Sequence, residues 1–163
     1  LEATTTRQRF YAHTAKYHRL MWETLQPAGM ARLLTARWRD KVLVSWVVFV
    51  FHDVLYYPYG ASSSEHRELM ASNLMLWEAI NYGKRLGLKT FDFWGSLGPE
   101  PNPHDPWYGF HRFKEGYGPD LVEFVGSYDL VLKPTLYRLF RLADATRDWW
   151  LKLATAFRPS SNR

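Results

Sequence analysis

A chain of 163 residues, 47% hydrophobic, is long enough to bury one sizeable core and short for two. It contains no cysteine, which removes disulfide, thiolate and Cys-zinc chemistry and fits a reducing compartment, and its longest apolar run, ten residues from Val42 to Phe51 interrupted by Ser45, is about half the roughly 20 needed to span a bilayer. The formal charge of +5 is spread along the chain with no run of five basic residues, so it reads equally as a diffuse soluble surface or as one that meets phosphates. No basic segment followed by an apolar one opens the sequence as an export signal would.

Thr14 is placed to cap a helix over about 15–26, whose apolar stripe is Tyr17, Leu20 or Met21, and Leu25, and which Pro27 and Gly29 end. Val, Phe, Trp and Tyr then dominate, broken by short polar pairs at Arg39-Asp40-Lys41 and His52-Asp53. This predicts three antiparallel strands at about 30–38, 42–51 and 54–60. The middle strand is apolar at nearly every position, as expected when both faces are covered. Ser62 and Glu65 have capping-box spacing before a helix predicted over 63–86, with Met70, Leu74, Trp77 and Ile80 as its core stripe and Gly87 as its left-handed cap. A strand at 88–94 follows, so that 54–94 is a strand-helix-strand unit with parallel strands. Pro99, Pro101, Pro103 and Pro106 make the next stretch a loop. A short helix is expected over 106–115, a strand over 121–132 and a helix from Pro134, with a frayed tail at 159–163. One mixed sheet over 30–132, flanked by helices in a single domain of residues 1–158, is the resulting α/β (α+β) architecture.

That succession is similar to the acyl-CoA N-acyltransferase (GNAT) fold. Members of that fold bind the coenzyme A pyrophosphate on a basic, glycine-rich turn at the start of the long helix. Here the junction reads Tyr57-Pro58-Tyr59-Gly60-Ala61-Ser62-Ser63-Ser64, with one glycine and no basic residue, so coenzyme A is not expected.

The same junction continues into Leu74-x-x-Trp77-Glu78-Ala79-Ile80 and Gly87-Leu88-Lys89-Thr90-Phe91-Asp92-Phe93-Trp94-Gly95. Tyr108-Gly109-Phe110-His111-Arg112-Phe113-Lys114-Glu115-Gly116-Tyr117-Gly118 and Glu123-Phe124-Val125-Gly126 follow. Together with Thr4-x-x-Arg7-x-x-Phe10 upstream, this order resembles the FemABX peptidyltransferase family over about residues 4–142. The most specific element is Gly-x-x-x-Phe-Lys-x-x-Tyr/Phe-Gly.

The resemblance implies aminoacyl transfer from aminoacyl-tRNA to a peptidoglycan precursor, UDP-linked or lipid-linked. The chain would be the second of two acetyltransferase-like domains, cytoplasmic or peripheral at the inner face of the membrane. Such a fragment would lack its N-terminal partner domain, would be inactive alone, and would self-associate through an apolar face near its N-terminal segment and Trp149-Trp150. A related N-acyltransferase acting on exopolysaccharide or lipid, and a noncatalytic tRNA- or partner-binding domain, are the alternatives.

Acyl transfer needs a deprotonated amine, a positioned ester and stabilisation of the oxyanion. Matching to the Phe-Lys motif assigns to Lys114 the charge that meets the tetrahedral intermediate or the neighbouring tRNA phosphate, and to Phe113 packing on the terminal adenosine or the substrate, against a solvated helix lysine and a core phenylalanine as the bland readings. Tyr59, Tyr108, Arg7 and Arg19 are the further substrate-binding candidates. His104-Asp105 are adjacent and so poorly placed to orient one another. His13 and His18 miss the four-residue spacing of a helical ligand pair, and no metal is expected. Asp92 suits a structural bond to a loop N–H.

Overall fold

The computed structural model describes the backbone of residues 13–156 and the side chains of residues 13–147. Its first helix, α1 (Ala15–Leu25), starts where Thr14 Oγ1 accepts from the Tyr17 N–H at 3.3 Å, the cap expected from sequence. Strands β1 (Ala31–Trp38), β2 (Lys41–Phe51) and β3 (Val54–Ser62) are antiparallel neighbours. Both tight turns carry a residue in the left-handed region, Arg39 and His52, each at φ 52°. β4 (Thr90–Asp92) runs parallel to β3, and the sheet order is β1-β2-β3-β4.

Two irregularities shape this sheet. Ala36 faces Val44 while Arg37 faces Val42, so Leu43 is an extra residue in β2, and Leu43 and Val44 are both buried despite being consecutive. Between β2 and β3, Phe49 faces Tyr56 and Val47 faces Tyr59, which leaves two residues, Tyr57 and Pro58, opposite Val48. Without that bulge Tyr57 and Tyr59 would share a face; with it Tyr57 turns to the core and stacks on Trp46 at 3.7 Å, while Tyr59 turns to the face of Phe49, 6.1 Å away. Proline has no N–H to lose from the ladder at such a site.

The core lies between the sheet and α2 (Ala71–Arg85): Val44, Trp46, Val48 and Leu55 meet Met75, Leu76 and Ala79. The opposite face is covered by aromatic contacts from α1, where Tyr17 and His18 lie 6.5 and 4.9 Å from the Tyr59 ring. Helix α3 (Tyr108–Glu115) follows the proline loop, and α4 (Pro134–Ala156) ends the described chain.

Several expectations are corrected. The long helix begins at Ala71, not near Ser63, because β3 remains in its ladder as far as Ser62 opposite Val44 and Ser63 N–H still donates to Leu43 O at 2.7 Å. The capping box does not form. Ser63 Oγ accepts from Glu65 N–H at 3.0 Å, and the Glu65 carboxylate pairs with Lys41. A 3-10 turn (Arg67–Leu69) intervenes. The buried side of α2 is Met75, Leu76, Ala79 and Gly83, with Ile80 partly buried; Met70, Leu74 and Trp77 are exposed. Gly83 faces Leu55, where a Cβ would meet Cδ2 at 3.6 Å, an ordinary contact distance.

The strand expected over 88–94 is three residues long, and the one expected over 121–132 does not pair. Its residues favour an extended backbone, but a strand needs an edge to join. β4 offers three residues, after which Asp92 Oδ1 captures the Trp94 N–H at 2.6 Å and Trp94 takes φ 67°, turning the chain out of the sheet. The sheet therefore spans 31–92 rather than 30–132.

Candidate functional site

β3 and β4 pair only over Val54–Tyr56 and Thr90–Asp92. Beyond that point β3 continues to Ser62 paired with β2 but without β4, and β3 and β4 leave a crevice at their carboxyl ends, where ligand sites of open α/β sheets form. A cleft of about 500 Å³ lies there, walled by Tyr59 and Pro58 of β3, His13 and His18 at α1, Trp94–Leu97 after β4, and Trp107, Phe110, His111 and Lys114 at α3. The α3 residues recur at three- and four-residue spacing, so one helix face fills one wall.

A second cavity of about 300 Å³ adjoins it on the side of α2, lined among others by Ser62, Ser63, Arg67, Ser72, Asn73 and Phe113. Tyr57, Gly60 and Phe110 border both. Gly60 lies inside β3 beneath the Tyr57 ring, and a Cβ there would come within 2.1 Å of the Tyr57 hydroxyl oxygen. Its lack of a side chain thus serves the packing of Tyr57.

Lys114 is half-buried, and Nζ donates to Gly95 O at 2.7 Å. Removal from water lowers its pKa to about 8, opposed by the negative charge of Asp92. An ammonium has three protons, so two remain for a ligand in the cleft. The Tyr59 hydroxyl lies 3.0 Å from that of Tyr17, and burial together with this bond pushes its pKa up to about 12. Burial, then the neighbouring His13, lowers the pKa of His18. Its Nε2 is buried without a hydrogen-bond partner among the described residues.

The sequence candidates separate in space. Lys114 and Tyr59 share the larger cleft, whereas Phe113, adjacent to Lys114 on the helix, points into the smaller cavity and packs on the core. Tyr108 stacks toward His111 at 6.4 Å but lines neither cavity, and Arg19 is exposed away from both. Arg7 lies outside the described residues. Asp105 Oδ1 accepts from Trp107 N–H at 2.7 Å and Asn102 Oδ1 from His104 N–H at 2.9 Å, which makes this pair part of the loop's own turns. His13 stacks on Tyr17 at 4.0 Å.

Two site residues escaped the sequence reading. His111 is buried with Nδ1 2.8 Å from Ser96 Oγ, and both line the cleft beside Lys114. The available signal was position: His111 precedes Lys114 by three residues on a helix, hence on its face.

The FemAB family model matches residues 30–145, a stretch that includes both hairpins, α2, the β3, β4 and α3 walls of the cleft, and Lys114. The chain belongs to the FemAB family. Among curated relatives, Lipid II:glycine glycyltransferase of Staphylococcus haemolyticus is 37% identical over 84 residues, 52% of this chain and 20% of that protein. The same enzyme of Staphylococcus aureus matches with the same identity and coverage. This FemAB chain thus spans about a fifth of the length of these relatives. A crystal structure of FemX superposes with a TM-score of 0.71 at 20% identity, over 85% of this chain and 50% of that one. An aminoglycoside 6'-N-acetyltransferase from Acinetobacter haemolyticus superposes at 0.56 and 12% identity, over 78% and 89%. At these identities the structures establish the fold, which is of the GNAT acetyltransferase type. Among the described residues no helix is long and apolar enough to cross a membrane.

Proposed function

We propose that this FemAB chain forms the acyl-handling part of an enzyme that transfers an aminoacyl group from aminoacyl-tRNA to the peptide of a peptidoglycan precursor. The observation that carries the reading is Lys114. The family's Phe-Lys element puts a cation into a cleft at the carboxyl ends of the parallel strands, tethered to a carbonyl and partly stripped of water. An ester attacked by an amine develops negative charge on its carbonyl oxygen, and a preorganised cation stabilises that charge more in such a site than in water. Tyr59 orders the opposite wall, and Phe113 offers an aromatic face to the adjoining cavity.

The acceptor class follows from the relatives, which are named for glycyl transfer to lipid II. Coenzyme A is not the donor in this reading, which is supported by a junction with one glycine and no basic residue over 57–64. Work on a lipid-linked precursor sets the reaction at the inner face of the membrane.

The test is donor choice. The complete protein carrying residues 1–163 is incubated with purified lipid II and, separately, a panel of charged aminoacyl-tRNAs and acetyl-coenzyme A, each labelled in the acyl group. Label should enter the precursor from at least one aminoacyl-tRNA and not from acetyl-coenzyme A. Transfer from acetyl-coenzyme A alone contradicts the proposal.

A further inference from the structure

Amine attack on an ester leaves a proton to be removed, and neither Lys114, protonated to act as the cation, nor Tyr59, whose hydroxyl is engaged by Tyr17, is suited to take it. Ser96 and His111 are. Ser96 follows β4 on the rim of the cleft, and its Oγ lies 2.8 Å from His111 Nδ1. The His111 side chain is about nine-tenths buried, and Ser96 lines the cleft beside it. The other ring nitrogen, Nε2, is buried without a hydrogen-bond partner among the described residues, and Glu115 Oε2 stands 4.0 Å from it. The imidazole so held has one nitrogen committed to a hydroxyl and a carboxylate oxygen 4.0 Å from the other.

We infer that Ser96 and His111 form a proton relay for the acyl transfer, with Ser96 touching the acceptor amine and His111 acting through it. The inference rests on the aminoacyl-transfer reading above. As the neutral amine attacks, the new N–C bond forms and the carbonyl electron pair moves to oxygen beside Lys114. The amine proton passes to Ser96 Oγ, whose own proton passes to His111 Nδ1. On collapse the ester C–O bond breaks, and the proton returns through Ser96 to the leaving alkoxide, so that the net change is one proton carried from amine to hydroxyl. The groups that face His111 are Glu115 and Lys114 from its own helix, the stacked Tyr108, and Tyr59, His18 and His13 across the cleft.

Two measurements decide it. In 15N-histidine spectra of this chain, His111 should be the Nε2–H tautomer with Nδ1 accepting, and Ser96→Ala should shift the Nδ1 resonance. A proton found on Nδ1 in the neutral form would make Ser96 a mere acceptor and overturn the relay whatever the enzyme transfers. In the complete enzyme, Ser96→Ala and His111→Asn, the latter keeping an acceptor for the Ser96 hydroxyl, should each lower kcat by about 100-fold or more with KM within threefold. Activity within threefold of wild type contradicts the relay. A wild-type enzyme that transfers from no aminoacyl-tRNA fails the reading itself, and the relay with it.

Discussion

Lys114 holds its charge against partial burial, and Asp92, itself bonded to the Trp94 N–H, is the group that offsets the cost. The sign follows from the shift. A lysine whose folded pKa lies near 8, below its ordinary 10.5, disfavours the folded state while protonated, and that penalty is relieved as pH rises from about 8 toward 10.5. Activity that needs the cation moves the other way and falls as pH rises through about 8. Asp92→Asn keeps an oxygen for the Trp94 N–H and removes the charge. It should shift the alkaline limb of kcat/KM to lower pH, as read from a pH–rate series on the complete enzyme; an unshifted limb would separate Asp92 from Lys114. That Asp92 could hold a loop N–H was legible from its place on the strand, though its role toward Lys114 stayed open. Ser96 was not, because a serine after Trp94-Gly95 carries no pattern until the fold brings a helix residue fifteen positions later against it.

The elements were legible where local preference and tertiary packing agree. Thr14, the turns at Arg39 and His52, and the left-handed Gly87 each state a backbone requirement in one or two residues, and each element edge they imply lies within one or two positions of the observed one. Long-range pairing is different. Ser62–Glu65 has capping-box spacing, yet the ladder to β2 extends through Ser62 and moves the helix start to Ala71. The face of α2 was misread for a separate reason: large apolar side chains suggested Leu74 and Trp77 where the sheet takes Met75, Leu76, Ala79 and Gly83. A pair of substitutions separates the two faces. Leu76→Ala, at a fully buried side chain, should lower unfolding free energy by about 2–5 kcal/mol. Leu74→Ala, on a side chain 56% exposed, should change it by less than about 1 kcal/mol in the same denaturant titration. Equal losses would restore the stripe expected from sequence.

At the scale of the molecule, apolar surface is left uncovered along residues 121–132 and the first turns of α4. Phe124, Val125, Tyr128 and Leu130 are each at least 86% exposed, far beyond what scattered surface apolars show. The apolar face expected at Trp149-Trp150 and near the N-terminal segment lies outside the described side chains and residues. The chain spans about a fifth of the curated relatives and half of FemX, and catalysis is a property to measure in the complete protein. In that protein the cation of the Phe-Lys element is proposed to stabilise the charge of acyl transfer. Lys114→Met retains the aliphatic stem against the cleft wall and removes the ammonium. In transfer from aminoacyl-tRNA to lipid II, turnover should fall by about 100- to 1000-fold, the loss typical of one preorganised donor to an oxyanion, while the thermal midpoint stays within about 2 °C. Turnover within twofold of wild type, or a loss of activity that merely follows a lowered midpoint, would contradict it.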